Sequence, residues 1–320
     1  MEILKYDDYV KCEDNAKISG VVWIKNYAEK AGNKPYIDGS ILVEGEKISF
    51  KVWSSSPIFA SLKNNDFSES PLFIDGTVSK QYNNINITNI AHADTLVFTK
   101  DKFKKQSPYD LALLERDFLE LLKKNLTDKG YALIDTLMEI SSKGEVYEKF
   151  VSNYAASSHH DNCPGGLLAH TFKCLSILET FAKLYGWMGE DVNMSNDDFK
   201  DLMYIGIAIH DIGKIYEINE DVYYEDSFNS HRIIGLEILF ANKDRIVSDY
   251  SEHFYNLLVS ILVGHHGEWG DKPKTFEAIL VHHIDYIESV FTEAGQKLVT
   301  GVSEEPAGKR INLGGEKYYL

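Results

Sequence analysis

A chain of 320 residues, 44% apolar and 12% aromatic, is long enough for two domains and apolar enough to pack them, which excludes a disordered or low-complexity protein. A formal net charge of −16 excludes broad, nonspecific nucleic-acid binding over the whole surface, although bound divalent cations would reverse the potential locally. Three cysteines without a C-x-x-C pair indicate neither a disulfide framework nor a zinc knuckle. No apolar run approaches the length of a bilayer-spanning helix, and the stretch from Met1 to Asp8 mixes charges, so the expectation is a cytoplasmic protein with no membrane partner and no signal peptide.

Residues from about 17 to 95 carry the period of strands. Ile48, Phe50 and Val52 alternate with Lys47, Ser49 and Lys51, and Ile85 and Ile87 alternate with Asn84, Asn86 and Thr88. Leu72, Ile74 and Val78 keep the same spacing, and turn-forming residues at 31–34 and 81–83 separate such runs. A short helix is expected over Pro57–Lys63, between the third and fourth strands. Five strands with one helix after the third is the order of an OB-fold barrel. The polar, basic stretch Thr99–Pro108 reads as a linker, so the expected division is a barrel over 1–98, a linker over 99–108 and a helical domain over 109–320. The fold class is therefore α+β, with two domains. Helical periodicity is predicted at about 109–126, 129–141, 144–156, 166–186, 197–210, 228–242, 250–264 and 274–291, and the tail 303–320 reads as irregular.

The feature that carries chemistry is His210-Asp211-Ile-Gly-Lys214. It closes a nearly continuous apolar helix (Leu202, Met203, Ile205, Ile207, Ala208, Ile209), with Gly213 where a helix C-terminal glycine is expected. An imidazole and a carboxylate at the negative end of a buried helix favour a cation. Other helices offer comparable groups: His170 early in one, His231 at the start of another with Ile234, Gly235 and Ile238 on its face, His265 and His266 closing a third, and Asp285 within the apolar stretch Ile279–Phe291. An unpaired buried carboxylate at 285 would be costly.

The order His170, His210-Asp211, His231, His265-His266, Asp285 resembles the HD superfamily in its two-metal form. The chain is more closely similar to the YhaM-type 3′→5′ exoribonucleases, which join an N-terminal OB-fold to a C-terminal HD domain. The resemblance rests on Asn33-Lys-Pro-Tyr36, Phe50-Lys-Val-Trp53, Ser158-His-His160, Gly166-Leu-Leu-Ala-His170, His210–Lys214, Ser230-His-Arg-Ile233, His265-His266-Gly267 and Ile284-Asp285. Ser230 departs from the glycine usual before that histidine. The resemblance implies that His170, His210, Asp211 and Asp285 hold one metal, and that His231, His265 and His266 hold a second, with Asp211 bridging. Two divalent ions per chain are expected, Mn²⁺ before Mg²⁺, Co²⁺ or Fe²⁺, because the donors are nitrogen and oxygen without thiolate. The implied activity is two-metal hydrolysis of single-stranded RNA or DNA from the 3′ end, releasing nucleoside 5′-monophosphates.

Beside this set, Asp211 and Lys214 are the catalytic candidates, with Lys214 reaching a phosphate oxygen or serving only as a helix-terminal cation. His159, His160 and Arg232 are substrate-binding candidates, as are Trp53, Tyr36 and Tyr82, whose rings could stack bases or simply pack. Lys100, Lys102, Lys104 and Lys105 could track a phosphate backbone, although such a run is usually a solvated linker. His282 and His283 read as supporting residues. Two rival functions share the sequence: a phosphohydrolase of small nucleotides, and a noncatalytic nucleic-acid-binding protein with a relict metal site. A homo-oligomer is compatible with the family.

Overall fold

The computed structural model describes residues 1–156, 161–218, 230–267, 270–300, 303–305, 308–313 and 316–319. The chain forms two compact units, Met1–Gln106 and Ser107–Leu320.

In the first unit a short helix, α1 (Tyr6–Lys11), precedes the strands β1 (Lys17–Lys30), β2 (Tyr36–Val43) and β3 (Glu46–Trp53). The helix α2 (Phe59–Asn64) follows, then β4 (Ser70–Ser79) and β5 (Asn84–His92). These strands close a barrel in the order β1-β2-β3-β5-β4, with β4 returning antiparallel to β1 and β3 running parallel to β5. That is the OB-fold order, with the helix after the third strand as expected. The alternating residues supply the barrel core: Ile48, Phe50, Val52, Ile74, Val78, Ile85 and Ile87 are all buried. Each such side chain contributes about 1.5–3 kcal/mol on leaving water.

The stretch read as a linker is in its first part folded onto the barrel. A 3₁₀ turn at Lys100–Phe103 inserts Phe103, 0% exposed, beside Trp23 at 5.9 Å between ring centroids. Three of the four lysines there are paired: Lys100 with Glu69 at 3.1 Å, Lys104 with Asp101 at 3.2 Å and Lys105 with Glu46 at 3.2 Å. A basic run with one large aromatic reads as solvent-exposed because its anchor is a single residue.

The second unit begins with α3 (Leu111–Asn125), α4 (Asp128–Met138), α5 (Glu145–Ser152) and α6 (Gly166–Tyr185). After them come α7 (Asn196–Ile209), α8 (Lys214–Glu217), α9 (His231–Ala241), α10 (Lys243–Asp249), α11 (Glu252–Gly264) and α12 (Phe276–Thr300). Local chemistry starts several of them: the side chains of Asp110, Thr127, Ser195 and Ser251 accept from first-turn amides. From Asp201 to Ile209 every residue of α7 is buried, so α7 is the central helix. Asp201 ties three elements together, accepting from the Thr127 amide at 2.9 Å, the Thr127 hydroxyl and the Tyr250 hydroxyl at 2.7 Å.

The tail is not irregular. After α12, which runs nine residues past its expected end, β6 (Ser303–Glu305), β7 (Gly308–Leu313) and β8 (Glu316–Tyr319) form an antiparallel sheet with Ile311 buried. Strands this short hold too few alternations to be read from periodicity. Among the described residues no helix is long and apolar enough to cross a membrane.

Candidate metal centre

The helix α7 delivers His210 at its C-cap and Asp211 one residue on. Gly213 does not take the left-handed conformation expected of a terminal glycine; its φ is −64°. It is required for another reason. A Cβ there would lie 1.9 Å from the carbonyl oxygen of His231, so only glycine lets the turn before α8 abut the start of α9. That contact brings His231 to Asp211.

Four imidazoles are locked from behind. His210 Nδ1 donates to the Ile207 carbonyl at 2.7 Å, and His265 Nδ1 donates to the Leu262 carbonyl at 3.0 Å. A carbonyl can only accept, so in both rings Nδ1 bears the proton and Nε2 presents a lone pair. His170 Nδ1 faces Glu288 Oε2 at 2.5 Å, and His231 Nδ1 faces Glu217 Oε2 at 2.6 Å, which selects the same tautomer. Partners of this kind orient metal-ligating histidines generally.

The four Nε2 atoms converge on Asp211, which divides its oxygens between two groups. Oδ2 lies 3.6 Å from His170 and 3.4 Å from His210; Oδ1 lies 3.6 Å from His231 and 3.5 Å from His265. Asp285 Oδ1 joins the first group, 3.2 Å from His170 Nε2 and 4.0 Å from His210 Nε2. His266 joins the second, its Nε2 2.6 Å from that of His231. In the groups His170–His210–Asp211 and Asp211–His231–His265–His266, one donor atom per residue lies within 4.8 Å of all the others.

These residues fit divalent cations, because protein atoms leave part of the donor set unsatisfied. Asp211 Oδ1 and His265 Nε2 are buried without a hydrogen-bond partner. An unmet buried polar atom costs about 1–3 kcal/mol. His231 and His266 meet nitrogen to nitrogen, where a shared proton or cation must intervene. Borderline nitrogen and hard oxygen donors suit such an ion.

The electrostatics agree. Burial works against the Asp211 carboxylate, yet Lys214 and His210 hold its pKa well below the usual carboxylate value. Burial likewise disfavours charge on His170, but the Cys174 sulfur and the Asp285 and Glu288 carboxylates raise it well above an ordinary imidazole, so that without a cation its Nε2 carries a proton which a bound ion would replace. Burial, helped by the neighbouring His265, pushes His266 down to about 3, leaving a neutral ring able to ligate. Cys174, 3.8 Å from His170 Nε2, is pushed up to about 11 by burial and so is an unreactive thiol.

The other sequence candidates are distributed as follows. Lys214 Nζ lies 2.6 Å from Asp211 Oδ2, a counter-charge inside the cluster that begins α8. Arg232 is paired with Asp271 at 3.1 Å and reaches the Val263 carbonyl at 3.3 Å. His159 and His160 lie outside the described residues. His282 Nδ1 donates to the His265 backbone carbonyl at 2.7 Å, and His283 is exposed. In the barrel unit, Tyr36 and Trp53 are adjacent, with ring centroids 5.3 Å apart. Lys51 Nζ lies 5.1 Å from the Tyr36 ring and 5.7 Å from that of Tyr82, which brings the three aromatics to one cationic patch. Sequence reasoning missed Glu217 and Glu288. A faint signal existed for both: each falls three residues after a candidate, Lys214 and Asp285, and so on the same helix face.

The model of the HD domain family matches this region, from Leu167 to Ser289, and spans every member of the cluster. Residues 167–289 are an HD domain. Among curated proteins the chain is similar to the 3′-5′ exoribonuclease YhaM of Listeria monocytogenes serotype 4b, at 28% identity over 148 residues, 44% of each chain. The YhaM proteins of Listeria innocua and Listeria welshimeri match at the same identity and coverage. The alignment thus spans less than half the length of these relatives. A crystal structure of yeast Stn1 and Ten1 aligns over 31% of this chain and 60% of its own, at 15% identity and a TM-score of 0.23, too slight a likeness to carry a conclusion. The HD domain match, the histidine–aspartate cluster and these exoribonuclease relatives together support a metal-dependent hydrolase.

Proposed function

We propose that the chain is a 3′→5′ exonuclease acting on single-stranded nucleic acid, RNA before DNA, and releasing nucleoside 5′-monophosphates. The observation that carries the metal chemistry is the division of Asp211 between two groups of inward-facing imidazoles, each donor at 3.4–3.6 Å. His170, His210, Asp211 and Asp285 would hold one divalent ion, and Asp211, His231, His265 and His266 the other. When bound, such a pair lowers the pKa of a water and neutralises charge on both sides of an in-line phosphoryl displacement.

The protein's own groups do the rest. Glu288, Glu217 and two helix carbonyls keep the Nε2 lone pairs aimed inward without reorganisation. Lys214, placed at Asp211 Oδ2, balances that carboxylate and would turn toward a phosphate oxygen once cations satisfy it. Tyr36, Trp53 and Tyr82 around Lys51 would stack the bases of a single strand, a sequence-tolerant contact worth about 1–3 kcal/mol per base. On an acidic chain this local patch, rather than net charge, would select the strand.

The test is hydrolysis of 5′-labelled RNA and DNA oligonucleotides, with and without a 3′ block, across Mn²⁺, Mg²⁺, Co²⁺ and Fe²⁺. Stepwise shortening from a free 3′ end, lost on chelation and in Asp211→Ala, is expected. Turnover of a nucleotide panel with intact oligonucleotides would replace the substrate assignment, and full activity in Asp211→Ala would overturn the metal assignment.

A further inference from the structure

A second buried polar cluster stands behind His170 and contributes no ligand to the metal groups proposed above. Glu288, one turn along α12 from Asp285, is 2% exposed. Its Oε2 faces His170 Nδ1 at 2.5 Å, while its Oε1 accepts from the Thr292 hydroxyl at 2.5 Å and lies 3.1 Å from Lys173 Nζ. Lys173, three residues after His170 on α6, also donates to both oxygens of Asp161, at 3.0 and 2.8 Å. Asp161 is 0% exposed and accepts from the Tyr109 hydroxyl as well. Two buried carboxylates therefore close on one ammonium, and the far oxygen of one of them ends on a metal-facing imidazole.

The arrangement is directional. Lys173 and Thr292 are donors, so they fix Oε1 of Glu288 and leave Oε2 to accept from His170 Nδ1. The ring must then keep its proton on Nδ1 and present Nε2 to Asp211 and Asp285. An ion pair serving only to neutralise charge would need neither the second oxygen nor its alignment. We infer that Lys173 is a positioning residue for the first metal group, acting through Glu288 to fix the tautomer and direction of His170 and thereby setting cation affinity there. The inference rests on the metal reading above.

The conservative variants separate the roles. In Lys173→Met the chain keeps its length and loses the charge that orients Glu288. In Glu288→Gln a single carbonyl oxygen must choose between Lys173 and His170, so one of the two contacts is lost. The 320-residue chain, freed of metal by chelation and dialysed, is titrated with Mn²⁺ by calorimetry, and the His170 tautomer is read from ¹⁵N–¹H spectra of protein loaded with diamagnetic Mg²⁺. Both variants are expected to weaken one Mn²⁺ step by about 10–100-fold while leaving the other unchanged, and to convert a single Nδ1–H tautomer into a mixture. Lys173→Arg, which keeps the charge, should restore both readouts. Wild-type affinities and one tautomer in Glu288→Gln overturn the inference, and this variant decides it if Lys173→Met does not fold. Wild-type protein that takes up no Mn²⁺ overturns the metal reading and this inference with it, which distinguishes the two failures.

Discussion

At the scale of single residues, the cluster depends on a glycine as much as on its histidines. Gly267 follows His265-His266 with φ +58°, and a Cβ there would stand 2.3 Å from the His282 ring. His282 in turn holds the His265 carbonyl. Gly267→Ala therefore combines backbone strain with displacement of a supporting ring, and should destabilise the chain by about 1–3 kcal/mol, seen as a lower urea midpoint at unchanged slope. Unchanged stability would show that this turn relaxes freely. The glycine was visible in the sequence as part of a motif, but its reason was not, because the clashing ring belongs to a helix beginning nine residues later.

At the scale of elements, α7 is held by the partners of Asp201 as well as by its apolar faces. Removing that carboxylate strands the half-buried Thr127 amide and hydroxyl and the half-buried Tyr250 hydroxyl. Asp201→Ala should cost about 2–4 kcal/mol, measured by chemical denaturation, with α4 the first element to lose amide protection from hydrogen exchange. Between α3 and α6, Lys124 and Lys183 hold the pKa of Glu179 down from 4.5 to about 2. A depressed carboxylate stabilises the fold above its unfolded pKa and ceases to do so as pH falls through its folded value. Glu179→Gln should accordingly be less stable than wild type near neutrality, with the gap closing between about pH 4.5 and pH 2. A gap independent of pH would reject the ion pairs as its source. The main helices were legible because their apolar stripes span three or more turns, whereas α8 and α10, at four and seven residues, give no periodic signal.

At the scale of the molecule, the cations and the fold should stabilise one another. Ions that bind only the folded cluster raise stability by RT ln(1 + [M]/Kd), about 2.7 kcal/mol at a hundredfold excess over Kd. For a helical unit of this size that corresponds to a rise in Tm of about 5–10 °C in Mn²⁺. The rise should be absent in Asp211→Ala and reversed by chelation in calorimetric scans. An Asp211→Ala protein that still gains the full increment would place the stabilising ions elsewhere.

Read alone, the amino-acid sequence determined what depends on neighbours along the chain. It set the strand alternation and helix position that define the barrel, the long apolar helices, and the spacing of histidines and aspartates that marks the HD domain. The tertiary structure decided what depends on residues far apart. Glu288 meets His170 across 118 positions, Lys51 sits by the rings of both Tyr36 and Tyr82, and the tail forms a sheet from strands of three to six residues. The physical reason is that periodicity records which face of an element is buried, while the orientation of an imidazole is set by whichever donor or acceptor the fold brings behind it.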